Sequence, residues 1–325
     1  MNIFSFDEMP GRTAIVKGEV YLFFSGYSYL GMQHVPEFIA LIKEGIDKYG
    51  WLFPSSRITN TRLKIFEEAE ALLSAITGME DTVLVSSGYA AGRIATAHFV
   101  HNIINIEPSH PAIRREGTNK DANVFAVDSV ETLSASITDF SFINSNTKNK
   151  IIIADDSHGI GLIGAAGEGI VSRLPQNIYS QYVLTYSLSK AFHINAGAIS
   201  CGKKLAALYR NNHAYTSATA PSPALLHAFI KGQHIYTLQR SKLYSNMQYF
   251  VSLIKHLNGI HYHPELPVYI LPENINTQKL FDQNIIISSF AYPDENGKKC
   301  NRIVLSALHT KEDMERLAAC LEQML

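Results

Sequence analysis

The sequence predicts an α/β fold: a mostly parallel central sheet flanked by helices, followed by a smaller α+β domain at the C-terminal end. Two observations carry this expectation. Short apolar runs of strand length at 82–85, 123–127, 151–154 and 181–184 have turn or helical material between most of them, the order that builds a parallel sheet. Farther on, a strongly helical stretch from Pro223 to about Leu257 is broken by Pro264, Pro267 and Pro272 around another short run, Val268–Leu271. The expected division is an N-terminal segment over 1–34, a large domain over 35–222 and a small domain over 223–325.

Each element has a local reason. Phe38, Leu41, Ile42 and Ile46 recur at helical spacing over 35–49, and Gly50 supplies a stop. Phe66, Leu72, Leu73 and Ile76 mark a second helix over 62–77, ended by Gly78. A third is expected over 90–100, after the small-residue turn Ser86-Ser87-Gly88-Tyr89. Residues 196–201 read as a further strand of the first sheet, and 284–290 and 302–306 as strands of the second. The final helix opens on Thr310-Lys311-Glu312-Asp313, which resembles a capping box.

Composition narrows the function. A net charge of −1 gives no global attraction to nucleic acid or to an anionic membrane, which leaves small-molecule chemistry as the expectation. Cys201, Cys300 and Cys320 are far apart and lack metal-ligand spacing, so neither a zinc site nor a disulfide framework is expected, and a reducing cytoplasm fits. The N-terminus carries Asp7 and Glu8 and does not read as a secretory signal. No apolar run reaches the roughly 18 residues of a membrane span, so a soluble protein is expected.

The chemistry centres on Lys190, in Thr185-Tyr186-Ser187-Leu188-Ser189-Lys190-Ala191-Phe192, and on Asp155-Asp156-Ser157-His158-Gly159, which closes the apolar run at 151–154. A lysine that forms a Schiff base needs an electron sink, and pyridoxal phosphate becomes one when a carboxylate keeps its ring nitrogen protonated. Asp155 and Lys190 offer that pair. Strand-end acids also cap helices, and an isolated lysine is more often a solvated charge. Glycines at 159, 161, 164, 167 and 169 suit a close approach of backbone to a ligand. The turn at 86–89 either cradles a phosphate at a helix N-terminus or merely joins two elements.

In order along the chain these motifs resemble the α-oxoamine synthase family of pyridoxal-phosphate acyltransferases. The resemblance is carried by Tyr29-Leu30-Gly31, Ser56-Arg57, Ser87-Gly88-Tyr89, the acidic motif at 155–159, Ser187 to Lys190, the spacing of Arg240, Leu243 and Asn246, and the run from Arg302 to Thr310. It implies a fold-type I pyridoxal-phosphate transferase, a homodimer with a shared active site, and condensation of an amino acid with an acyl thioester, carried by CoA or by a carrier protein. By the same resemblance Lys190 holds the cofactor and moves the substrate proton, Asp155 pairs with the ring nitrogen, and His158 bonds the phenolic oxygen. His110 stacks on the ring, and Ser87, Gly88, Tyr89 and Ser187 bind phosphate, with Thr219 reaching across from a second subunit. Arg302 grips the amino-acid carboxylate; a surface position on an edge strand is its alternative reading.

Several residues depart from the family pattern. Tyr27 stands where an asparagine contacts cofactor or substrate, and Trp51-Leu52-Phe53-Pro54 replaces a glycine-rich approach to Ser56-Arg57. The stretch between His110 and the strand at 123 is short, Ser134 occupies an acidic position while Asp128 keeps an earlier one, and Cys300 replaces the first arginine of a pair. Arg114, Arg115 and Lys120 form no evident basic patch for CoA. A different reaction on the same cofactor (transamination, decarboxylation or aldol cleavage) and a non-catalytic relative are the alternatives.

Overall fold

Near the N-terminus, Thr13–Val16 (β1) and Glu19–Phe24 (β2) pair antiparallel with Val16 opposite Glu19, so only Lys17 and Gly18 form the turn. Both have positive φ, 51° and 83°, the backbone twist that a two-residue hairpin demands. The computed structural model describes residues 3–107, 109–116, 122–144, 149–175, 180–292 and 294–325. After β2 come helices Pro36–Tyr49 (α1) and Lys64–Thr77 (α2), each ended by a glycine of positive φ, as their spacing predicted. Strand Asp81–Val85 (β3), helix Gly88–Ala97 (α3) and strands Ile103–Asn105 (β4) and Val124–Asp128 (β5) follow, then a small hairpin of Val130–Glu131 (β6) and Ser136–Ile137 (β7).

Lys150–Asp155 (β8), Ser180–Ser187 (β9) and Gly197–Cys201 (β10) complete the first sheet, in the order β3-β10-β9-β8-β5-β4. β5, β8 and β9 run parallel, as expected, β4 adds an unexpected parallel edge strand beside β5, and β10 lies antiparallel between β9 and β3. Both faces of this sheet are covered, which is why its strands read as continuous apolar runs. Val83, Ile153, Val183 and Ile199 pack with Ile94 and Ala95 of α3, all at most 1% exposed. Each such aliphatic side chain contributes about 1.5–3 kcal/mol on burial. A polar chain is threaded through the same sheet: Ser200 Oγ bonds Thr82 Oγ1 (2.8 Å) and the Tyr186 hydroxyl (2.6 Å), so these buried groups are satisfied.

Helices Lys203–Arg210 (α4), His213–Thr216 (α5), Pro223–Lys231 (α6) and Gln233–Ile254 (α7) come next. His261–Tyr262 (β11), Val268–Leu271 (β12), helix Thr277–Asp282 (α8), Ile285–Tyr292 (β13), Lys298–Val304 (β14) and helix Lys311–Glu322 (α9) finish the chain. The second sheet has the order β1-β2-β13-β14-β12-β11. The capping box is present: Thr310 Oγ1 accepts the Asp313 N–H and Asp313 accepts the Thr310 N–H.

The chain forms two units. The larger comprises Val35–Glu131 and Ile137–Ile235; the smaller comprises residues through His34, Thr132–Ser136 and Tyr236–Leu325. This differs from the expected division at three points, one of them the short stretch Thr132–Ser136, expected in the large domain and found in the smaller unit. α6 belongs to the larger unit because it packs on α1 so closely that a Cβ on Gly45 would lie 2.6 Å from the Ala224 carbonyl oxygen. The segment before His34 belongs to the smaller unit because β2 pairs parallel with β13, Leu22 opposite Ile285.

Candidate active site

The parallel pairing of β5, β8 and β9 sets Asp155 level with Asp128 on one side and Thr185 on the other, at the carboxyl ends of the strands. That is where ligands gather in such sheets. Asp155 is buried, and its Oδ1 accepts the Ser157 N–H at 3.0 Å, which fixes the turn leaving β8. Ser157 Oγ in turn accepts the Ser187 N–H at 2.9 Å, tying the turn to the end of β9.

Lys190 lies in the loop between β9 and β10. The loop is closed by the Leu188 N–H to the Ala196 carbonyl (2.9 Å) and the Ile194 N–H to the Leu188 carbonyl (3.1 Å), and it is anchored by buried Leu188, Ala191, Phe192 and Ile194. Its Nζ lies 2.9 Å from His158 Nε2. The strand-end motif and the lysine motif, distant in sequence, therefore meet.

Asp156 has a different task. It is wholly buried, accepts Ser129 Oγ at 2.6 Å and the Ile170 N–H at 2.9 Å, and burial pushes its carboxyl up to about 7. This corrects the reading of the glycine run. A Cβ on Gly159 or on Gly169 would lie 2.0 Å from the Asp156 carboxylate, and one on Gly161 would lie 2.7 Å from Ala191 Cβ. These glycines allow the loop to wrap its own acid and the lysine loop, rather than a ligand.

His110 is exposed but held on several sides. Its backbone N–H donates to Asp128 Oδ1 (2.9 Å), its ring Nδ1 accepts the Ala112 N–H (3.1 Å), and its carbonyl accepts the Ile113 and Arg114 N–H groups. Burial of the ring on its protein side holds the imidazole below its ordinary pKa; Asp155 opposes this and Lys190 adds to it. Burial raises Asp128 to about 7, helped by the neighbouring Asp155 charge. Asp128 and Asp156 belong to this constellation: Asp156 follows Asp155 directly in the chain, and the strand register is what brings Asp128 level with it.

On the other flank Ser87 caps α3 by accepting the Ala90 N–H at 3.1 Å. A Cβ on Gly88 would lie 2.6 Å from Ser187 Cβ, and one on Gly197 would lie 2.2 Å from the Ser87 carbonyl, so this helix start is pressed against the end of β9. Ser187 Oγ and Ser189 Oγ are 2.7 Å apart. Tyr89 and Thr219 are exposed. The larger unit thus brings Lys190, His158, Asp155 and His110 into one electrostatic neighbourhood, with Ser87, Gly88 and Ser187 at one strand end.

In the smaller unit Arg302 lies on β14, between β12 and β13, and is 2% exposed, which overturns the edge-strand alternative. Its guanidinium is 5.2 Å from the ring centres of both Tyr27 and Phe290, and Nη1 donates to Thr132 Oγ1 at 3.2 Å. Nε is buried without a hydrogen-bond partner among the described residues. Such a donor is costly to leave unmet unless a ligand completes it.

Around Ser56-Arg57 a small pocket of about 50 Å³ is lined by Phe53, Arg57, Phe66, Glu70, Arg210 and Tyr215. Arg57 stacks on Tyr215 at 4.4 Å and donates to the Leu84 carbonyl. Arg114 pairs with Glu107 at 2.8 Å and buried Arg115 donates to the Arg93 carbonyl at 2.8 Å, while Lys120 lies outside the described residues. Among the described residues no helix is long and apolar enough to cross a membrane, and no group of three or more His, Cys, Asp or Glu side chains could hold a metal.

Comparison with known proteins adds kinship. The family described as aminotransferase class I and II matches residues 135–321, more than half of the chain. The 8-amino-7-oxononanoate synthase of Fervidobacterium nodosum is 27% identical over 97% of this chain and 91% of its own. A serine palmitoyltransferase from S. paucimobilis, with a bound PLP–myriocin aldimine, shares the fold at a TM-score of 0.84 and 16% identity, covering 99% of this chain and 92% of its own. The 8-amino-7-oxononanoate synthase of Francisella tularensis does so at 0.75 and 20%, covering 93% and 97%. The resemblance read from the motifs and the expected fold class are both borne out.

Proposed function

Because the chain belongs to the aminotransferase class I and II family, we propose that it is a pyridoxal-phosphate-dependent acyltransferase that condenses an amino acid with an acyl thioester, releasing carbon dioxide and a thiol. The observation that carries this reading is the 2.9 Å approach of Lys190 Nζ to His158 Nε2 beside the buried Asp155 carboxylate. The relatives named 8-amino-7-oxononanoate synthase support it.

The residues present fit the cofactor. A buried carboxylate ends an inner strand, an amine stands beside an imidazole, and a capped helix N-terminus with nearby hydroxyls offers donors for a phosphate. Asp155 would face the ring nitrogen and hold a proton there, His158 would bond the phenolic oxygen, and His110 would cover one ring face. Ser87, Gly88, Tyr89 and Ser187 would hold the phosphate, with Thr219 supplied by a second copy in a homodimer. When bound, pyridoxal phosphate supplies a cationic aromatic ring that draws electrons from a bond at the amino acid's α-carbon.

Lys190 would tether the cofactor and, once displaced by substrate, take or return the proton at that α-carbon; His158 beside it keeps the amine oriented. Arg302, stripped of water and gripped between two rings, would present its unmet Nε–H to the substrate carboxylate. Tyr27 would contact the same substrate. The new carbon–carbon bond joins the α-carbon to the thioester carbonyl, and the thiol leaves.

Purified protein incubated with single amino acids and acyl-CoAs of different chain length, with free thiol measured, tests this directly. Thiol release that requires both substrates is expected. No release from any pair, or conversion of the cofactor to its amine form instead, would contradict acyl transfer.

A further inference from the structure

Four groups grip His110: Asp128 Oδ1 takes its backbone N–H (2.9 Å), the Ala112 N–H meets its ring Nδ1 (3.1 Å), and the backbone N–H groups of Ile113 and Arg114 meet its carbonyl. Of these, only Asp128 is a side chain and only Asp128 belongs to the sheet. The others are turns within the loop, which is seated farther on by buried Ala112 and Ile113 and by the paired Asn105–Arg115 hydrogen bonds at β4; Asp128 is the side chain that ties His110 itself to the sheet. We infer that Asp128 is the positioning residue of this site: by accepting the His110 backbone N–H from the end of β5, it fixes the imidazole at the cofactor position defined by Asp155 and Lys190.

The geometry around Asp128 supports such a role. It ends β5 level with Asp155 on β8, so the loop that carries His110 is referenced to the same strand ends as the cofactor carboxylate. Its own backbone carbonyl is held by Thr138 Oγ1 at 2.5 Å, and the next residue, Ser129, donates its Oγ to Asp156. The Asp128 carboxyl therefore projects from a backbone fixed on both sides.

The charges that bear on Asp128 are Asp155, Lys190 and Glu107, with the His110 N–H as its hydrogen bond. Burial and the Asp155 charge favour its neutral form around and below pH 7, and a neutral carboxyl still offers its carbonyl oxygen to the His110 N–H. An asparagine can supply the same acceptor. A leucine of similar shape cannot.

This inference rests on the pyridoxal-phosphate reading, and the test separates the two. Affinity of the apoprotein for pyridoxal 5′-phosphate is measured by absorbance titration at pH 6 for the parent, Asp128→Leu, Asp128→Asn, His110→Ala and the double variant Asp128→Leu/His110→Ala. Asp128→Leu is expected to weaken binding about tenfold, the scale of one hydrogen bond that holds a binding group. Asp128→Asn is expected to stay within about twofold of the parent, and in the His110→Ala background the leucine substitution should add less than about twofold. A tenfold loss that persists without the His110 ring, or an asparagine variant as weak as the leucine one, would overturn the positioning role. Failure of the parent to bind the cofactor at all would overturn the functional reading itself. If thermal melting shows that Asp128→Leu does not fold, Asp128→Ala replaces it in the same cycle.

Discussion

The strand ends around Asp155 in the larger unit and the arginine strand of the smaller unit are both built on inner strands, yet they are organised by different forces. Around Asp155 the polar groups are positioned by hydrogen bonds from backbone and side chains: Ser157 to Asp155, Ser129 to Asp156, His110 to Asp128. Around Arg302 a single cation is held mainly by two aromatic faces and one threonine hydroxyl, with Nε unmet. The first region is tied together mainly by its own hydrogen bonds, with Thr185 Oγ1 and Ser109 Oγ the buried side-chain atoms left without a partner among the described residues. In the second, Arg302 Nε has no hydrogen-bond partner among the described residues, and the proposed amino-acid carboxylate would supply one.

Substitutions that remove charge without changing shape break this comparison most sharply. Asp155→Asn keeps an acceptor for the Ser157 N–H but loses the charge that would hold the ring nitrogen protonated. A fall in kcat of about 10²–10³-fold with little change in folding is expected, measured in steady state against thermal melting. Arg302→Lys should act on the other side of the comparison. A point-charge ammonium cannot reproduce a planar fork stacked between Tyr27 and Phe290, so KM for the amino acid should rise about tenfold or more while the thioester KM changes little. A rise in both KM values would place Arg302 outside the amino-acid grip.

The two units also differ in how they answer pH. In the larger unit Asp156 has a folded pKa of about 7, above its unfolded value, so between about pH 4 and 7 the folded state binds the extra proton and stability falls as pH rises. In the smaller unit His309 is buried, stacked on Phe24, and bonded to the Ser306 N–H and the Phe23 carbonyl, and burial lowers its pKa to about 4. There the unfolded state binds the extra proton between about pH 4 and 6.5, so stability rises with pH. Each contributes a slope of up to about 1.4 kcal/mol per pH unit, with opposite signs. Denaturant unfolding between pH 4.5 and 6.5 should therefore give a more positive slope for Asp156→Asn and a more negative one for His309→Gln; matching shifts in one direction would contradict these assignments.

Much of this arrangement was legible in the sequence where the signal is local. α1 and α2 follow from apolar spacing and a terminal glycine, β12 from four apolar residues between prolines, and the start of α9 from Thr310 and Asp313. Lys190, Asp155 and His158 were singled out because their motifs occur in order, and the fold brings Lys190 Nζ to 2.9 Å from His158 Nε2. The remainder depends on contacts between distant residues. β1 and β2 acquire their place from Leu22 meeting Ile285 on β13, a pairing no local pattern announces. The glycines after His158 were read as room for a ligand because the Asp156 carboxylate that they surround comes from their own loop folding back. Asp128 was named as a retained acidic position, but its place level with Asp155 emerges only from the register of β5 against β8.

The central claim is that Lys190 carries the cofactor beside Asp155. Borohydride reduction of the protein reconstituted with pyridoxal 5′-phosphate, followed by peptide mass mapping, tests it most directly. A phosphopyridoxyl group on the peptide containing Lys190, absent from Lys190→Ala, is the result predicted here; label on another lysine, or none on any, would contradict it.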